Sequence, residues 1–134
     1  MKVVLDTSVL VADSPVTGVQ AAISVVSITE LHFGLLVATD DLERARRADR
    51  LAVVEATFDP LEVSVAVSRE WGRLAAAVRQ RGGQPRRRQL DLAIAATANT
   101  ENAVLLTWNL ADFTIISDLV TVQSPADFLA SEMS

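Results

Sequence analysis

The chain has 134 residues, 50% of them hydrophobic, with a mean hydropathy of +0.30 and a formal net charge of −5. That length fits a single domain over 1–134, and the apolar content is too high for a disordered chain. The absence of cysteine excludes disulfides, thiolate catalysis and cysteine-based zinc or iron–sulfur sites.

Val3-Val4-Leu5 reads as a short buried strand, followed by one or two helical turns over Thr7 to Ala12 and a break at Asp13-Ser14-Pro15. Ile23 to Val26 reads as a second strand. Ser27 then suits a helix N-cap, with Glu30 at the capping-box position, ahead of a helix from about Ile28 to Ala38. Asp40 to Thr57 carries Leu42, Ala45, Ala48, Leu51 and Ala52 at helical spacing and ends at Asp59-Pro60. Leu61-Glu62-Val63 reads as a brief strand and Val65 to Gln80 as a helix with Val67, Trp71, Leu74, Ala75 and Val78 on one stripe. After the loop Gly82 to Pro85 come a helix over Gln89 to Thr100, a strand over Ala103 to Thr107 and a turn or short helix over Leu110 to Phe113. A last strand is expected over Leu119 to Val122, and Ser124-Pro125 opens a C-terminal helix. Alternating strands and helices predict an α/β domain: a mostly parallel central sheet of about four or five strands with helices on both faces.

The run Met1 to Asp6 is too short for a signal peptide, and no segment approaches the roughly 20 apolar residues of a membrane helix, so a cytoplasmic location is expected. The net negative charge is unevenly spread. Arg44, Arg46, Arg47 and Arg50 form one cluster, and Arg79, Arg81, Arg86, Arg87 and Arg88 another. Each is a solvated helix face or a phosphate-binding patch; the second, between a loop and Asp91, is better placed to meet a phosphate backbone through Arg86, Arg87 and Arg88.

Four carboxylates border apolar segments: Asp6 after Val3-Val4-Leu5, Glu30 after Ile23 to Thr29, Asp91 before Leu92 to Ala96, and Asp112 just past Val104 to Thr107. In open α/β sheets, sites form at the carboxyl ends of strands, so all four are candidates for one sheet edge. Gathered there, they would repel one another and raise at least one pKa unless a divalent cation joined them. An oxygen-only donor set suits Mg²⁺ or Mn²⁺. Each acid also has a plainer reading: Asp6 as a helix N-cap, Glu30 as half of a capping box, Asp91 as a helix-dipole partner, Asp112 as a turn cap. Ser8, Thr107 and Asn109 either orient this group or satisfy loop backbone. The single histidine, His32, reads as structural, and Trp71 and Phe33 as core or interface.

Val3 to Val11, with Asp6-Thr7-Ser8, resembles the opening signature of PIN-domain ribonucleases. Ser27-Ile28-Thr29-Glu30-Leu31 with Gly34, Asp91 to Ala98, and Leu106-Thr107-Trp108-Asn109 through Asp112-Phe113 resemble their second, third and fourth motifs, in order and over nearly the whole chain. The size and the arginines before Asp91 resemble VapC toxins of bacterial toxin–antitoxin pairs. The resemblance implies a PIN-like fold and a Mg²⁺- or Mn²⁺-dependent endoribonuclease acting on structured RNA such as tRNA or rRNA. It implies Asp6, Glu30, Asp91 and Asp112 as the acidic metal site, a homodimer, and a cognate antitoxin as inhibitor. Trp108 stands where relatives often have a basic or polar residue. Alternatives are a catalytically silent PIN-like RNA- or protein-binding module and an aspartyl-nucleophile phosphohydrolase. The latter usually has a second Asp two residues after the first, where this chain has Ser8. A phosphoacceptor receiver domain would need a Lys after a late strand, and the only Lys is Lys2.

Overall fold

Two short apolar runs, Val3-Val4-Leu5 and Val104-Leu105-Leu106, each ending where polar chain begins, form the centre of the sheet. The computed structural model describes residues 1–12 and 19–133. Strands β1 (Lys2–Leu5), β2 (Gln20–Ala22), β3 (Val104–Leu106) and β4 (Val122–Gln123) lie in the order β2-β1-β3-β4. Every pairing is parallel, with Val3 opposite Val104, Leu5 opposite Leu106, and Leu106 opposite Gln123. Helices α1 (Thr7–Val11), α2 (Val25–Leu36), α3 (Asp41–Thr57), α4 (Val65–Gln80), α5 (Gln89–Thr100) and α6 (Pro125–Met133) connect and cover them. Two 3₁₀ segments, Pro85–Arg88 and Leu110–Ile116, precede α5 and follow β3.

The period-two alternation of a strand splits the core. Val4 and Leu105 face one side and pack with Leu74, Val78, Ile94, Phe113 and Val120. Val3, Leu5 and Leu106 face the other and pack with Val9, Ile23, Leu31, Leu51 and Phe128. Helices on both faces are what parallel strands with no polar face require. Helix α5 is buried from Leu92 through Ala98. Its alanines let its backbone approach α4, and its polar first turn is thereby held at the sheet edge. No described helix is long and apolar enough to cross a membrane.

Three expected boundaries move. The second strand is Gln20–Ala22, earlier than 23–26, and α2 already begins at Val25. Ser24, not Ser27, is its cap, accepting the Val26 N–H at 3.0 Å. The β-branched Ile23, Val25 and Val26 mimic a strand, but among the described residues the only pairing there is a single bridge, in which Leu61 donates to the Ile23 carbonyl at 2.8 Å and accepts the Val25 N–H at 3.0 Å. The last strand is Val122–Gln123 rather than 119–122. Leu119 and Val120 instead bond back to the Ile116 carbonyl as a turn. Leu61 makes only an isolated bridge with Ser24. Helix α4 begins and ends where expected, its last turn closed by Gly82 at φ +87°. The expected break at Asp13-Ser14-Pro15 lies outside the described residues.

Candidate functional site

Parallel β1 and β3 end side by side, which brings Asp6 and Thr107 together from opposite ends of the chain. The Asp6 N–H donates to the Leu106 carbonyl at 2.9 Å, extending the strand pairing by one residue. Asp6 occupies the N-cap position of α1 but its side chain caps nothing, so the N-cap reading does not hold. The carboxylate is only 4% exposed. Its Oδ2 accepts from Thr107 Oγ1 at 2.7 Å and from Ser8 Oγ at 2.8 Å. Each hydroxyl spends its one proton there and in turn accepts a backbone N–H, Asn109 to Thr107 and Trp108 to Ser8, both at 3.0 Å. Two backbone donors thus orient two hydroxyls, which orient one buried carboxylate.

A second relay fixes Glu30. Thr7 Oγ1 donates to Glu30 Oε1 at 2.6 Å, so the 2.9 Å contact between Thr7 and Ser27 has Ser27 as donor. Glu30 is therefore no half of a capping box. Burial raises its pKa, the Thr7 bond opposes that, and the Asp6 charge adds to it. Sequence reasoning missed Thr7 and misassigned the fully buried Ser27. The available signal was their place at the strand end and helix start beside two of the acids.

Asp91 lies in the first turn of α5, where the helix dipole also favours an anion. Burial pushes its pKa up; the charges of Asp6, Asp112 and Glu30 push it further, to about 6, against the pull of Arg88. The four acids thus share one electrostatic neighbourhood. Asp6, Glu30 and Asp91 line an open groove of about 620 Å³, together with Thr7, Ser8, Val11, Ala12, Trp108 and Asn109. Asp112 does not line it. Arg88 holds Asp112 in a close ion pair and reaches Asp91 at 3.8 Å.

This pairing corrects the simple picture of Arg86, Arg87 and Arg88 as one phosphate patch. All three are exposed on the 3₁₀ turn, but Arg88 is turned onto two acids. In the earlier cluster, Arg44 and Arg47 bond the Ala38 and Gly34 carbonyls at 2.6 Å and tie the α2–α3 connection. Arg81 is tied to Asp118 and the Ile115 carbonyl. His32 is exposed, 4.0 Å from Glu55.

The site's donors are carboxylate and hydroxyl oxygens, with no soft ligand, which fits a hard divalent cation. Its electrostatics fit too, since burial and then the charges of three other acids raise the Asp91 pKa, a cost that a bound cation would relieve. Among the described residues no three acidic or histidine side chains are yet gathered into a metal-holding group.

No family model matches the chain. It is 41% identical over 99 residues to Ribonuclease VapC8 of Mycobacterium tuberculosis, covering 70% of this chain and 88% of the relative. Its fold superposes on VapBC-5 of M. tuberculosis, a member of the VapBC family of toxin–antitoxin systems. That match has a TM-score of 0.78 and 31% identity over 92% of this chain and 96% of the other. VapBC2 of Rickettsia felis, bound to a DNA fragment from its promoter, shares the fold with a TM-score of 0.76 and 23% identity. The match covers 92% of this chain and 98% of that one.

Proposed function

The chain belongs to the VapC family of toxin ribonucleases, and on that premise we propose that it is a Mg²⁺- or Mn²⁺-dependent endoribonuclease whose acid groove hydrolyses structured RNA. The observation that carries this reading is the convergence of Asp6, Glu30 and Asp91 on one groove, with Asp112 close enough to shift Asp91.

Asp6, Asp91 and Asp112 would hold the cation, with Glu30 as a further ligand or as the group that orients the attacking water. The cation, when bound, supplies a water of lowered pKa and charge stabilisation at the phosphate. The chain's own residues do the rest. Ser8 and Thr107 hold Asp6 in one orientation through donors fixed by the backbone. Thr7 does the same for Glu30. Burial raises the pKa of Glu30, so in the water-orienting role it can accept a proton nearer neutral pH than an ordinary carboxylate. Arg86 and Arg87, exposed on the same 3₁₀ turn as Arg88, would meet flanking phosphates, and Arg88 would join them when it leaves Asp112.

The substrate class is tRNA or rRNA, cut in a loop. A cognate antitoxin holds the enzyme inactive, as the solved relatives' toxin–antitoxin assemblies support. Phe33, Leu36 and Val37 leave apolar surface exposed at the end of α2, which supports a protein partner, an antitoxin or a second copy in a homodimer. The reading places the protein in the cytoplasm with its RNA.

Sequencing RNA 5′ ends after brief expression of the chain tests the proposal. New ends at defined positions in one RNA class, absent with Asp6→Asn, are expected. Identical ends from both proteins would overturn it.

A further inference from the structure

We infer that Trp108 is the platform on which an unpaired nucleobase stacks beside the scissile phosphate, an inference that rests on the ribonuclease reading above.

The groove sets a problem that its charged residues do not solve. Among the described residues its lining contains Asp6, Glu30 and Asp91 but no Lys or Arg. Without the cation, phosphates close to these acids are repelled, and an uncharged contact adds affinity for the nucleotide at the cut without meeting that repulsion. A nucleobase face offers one, since stacking on an aromatic ring needs no cation and tolerates any base.

Trp108 is the aromatic residue placed to provide it. The chain has four Phe, two Trp and no Tyr. Phe113 and Phe128 are in the core, each 1% exposed, and Trp71 packs against it. Phe33 and Phe58 do not line the groove; Trp108 does, and it is 44% exposed. Its backbone is fixed relative to the acids, because the Trp108 N–H donates to Ser8 Oγ at 3.0 Å and Ser8 donates to Asp6. The flanking Thr107 hydroxyl bonds the same Asp6 oxygen. The ring is therefore carried on a segment registered to the reacting centre. Val11 and Ala12 extend the apolar lining. Recognition by stacking also favours single-stranded loops, where bases are free to splay out.

Two measurements test this. In EDTA, short oligouridine and oligoadenosine ribonucleotides should quench the indole emission of the wild-type chain and of Trp71→Phe, but not of Trp108→Phe. In Mg²⁺, Trp108→Ala should raise KM for RNA cleavage about tenfold with kcat nearly unchanged, and Trp108→Phe should recover most of the loss. Quenching that persists in Trp108→Phe, quenching by none of the RNAs, or an unchanged KM in Trp108→Ala would overturn the inference. Quenching needs no cleavage, so a chain that stacks RNA through Trp108 but never cuts it would refute the nuclease reading and leave stacking intact. Comparing wild type with Trp108→Phe suffices if Trp71→Phe does not fold.

Discussion

The guanidinium of Arg88 is ion-paired with Asp112, on a different element, and stands 3.8 Å from Asp91. One side chain thus neutralises two of four acids whose mutual repulsion the fold otherwise leaves in place. An exposed ion pair contributes at most about 1 kcal/mol, so Arg88→Ala should barely change stability. Its larger effect is on cation binding. Removing a competing positive charge in a solvent-screened site should tighten Mn²⁺ binding by about three- to tenfold in titration calorimetry. Weaker binding in Arg88→Ala would show that Arg88 organises the acids instead of competing for them.

Thr107 is fully buried, and its hydroxyl is both donor to Asp6 and acceptor from the Asn109 N–H. Thr107→Val keeps the shape and removes both bonds, so it should destabilise the chain by about 1–3 kcal/mol in urea unfolding. Cleavage should fall as well, because Asp6 loses one of its two orienting hydroxyls. An unchanged urea midpoint would mean that the relay contributes nothing to the fold.

The raised pKa of Asp91 fixes a pH dependence. The folded chain holds this proton up to about pH 6, whereas an ordinary Asp releases it near 3.8. Between those values the folded state binds more protons than the unfolded one. The contribution to stability is therefore fully present below about pH 4 and is lost as pH rises to about 6. Glu30 shifts in the same direction. After allowance for solvent screening, the loss from Asp91 is roughly 1–2 kcal/mol. Urea midpoints in EDTA should fall from pH 4 to pH 6, and Asp91→Asn should flatten the fall and raise stability at pH 7. A midpoint that rises over that interval in both proteins would contradict the electrostatic account.

Much of this arrangement was legible in the residues, for physical reasons that also mark the failures. Helix α4 is amphipathic, with Val67, Leu74 and Val78 buried, so its stripe and limits were readable. Asp6 and Asp91 stood out because each borders a segment buried for packing. At Ile23 to Val26, strand and helix compete for the same β-branched residues, and the deciding contact is the Ser24 cap. The Arg88–Asp112 pair and the Thr7–Glu30 bond join residues distant in the chain, and local pattern contains nothing that specifies them. The basic run before Asp91 looked like one patch because sequence shows charge but not the direction a side chain takes.

The central claim is that this acid groove cleaves RNA with a divalent cation. Its most direct test is the single-turnover rate of RNA cleavage in Mg²⁺ by wild type and by Asp6→Asn, with circular dichroism confirming that both are folded. Asn keeps an oxygen for the Thr107 and Ser8 hydroxyls but loses the charge a cation needs. The account predicts a loss larger than the roughly 10- to 100-fold that follows removal of an outer-shell metal partner. Equal rates from the two proteins would contradict it.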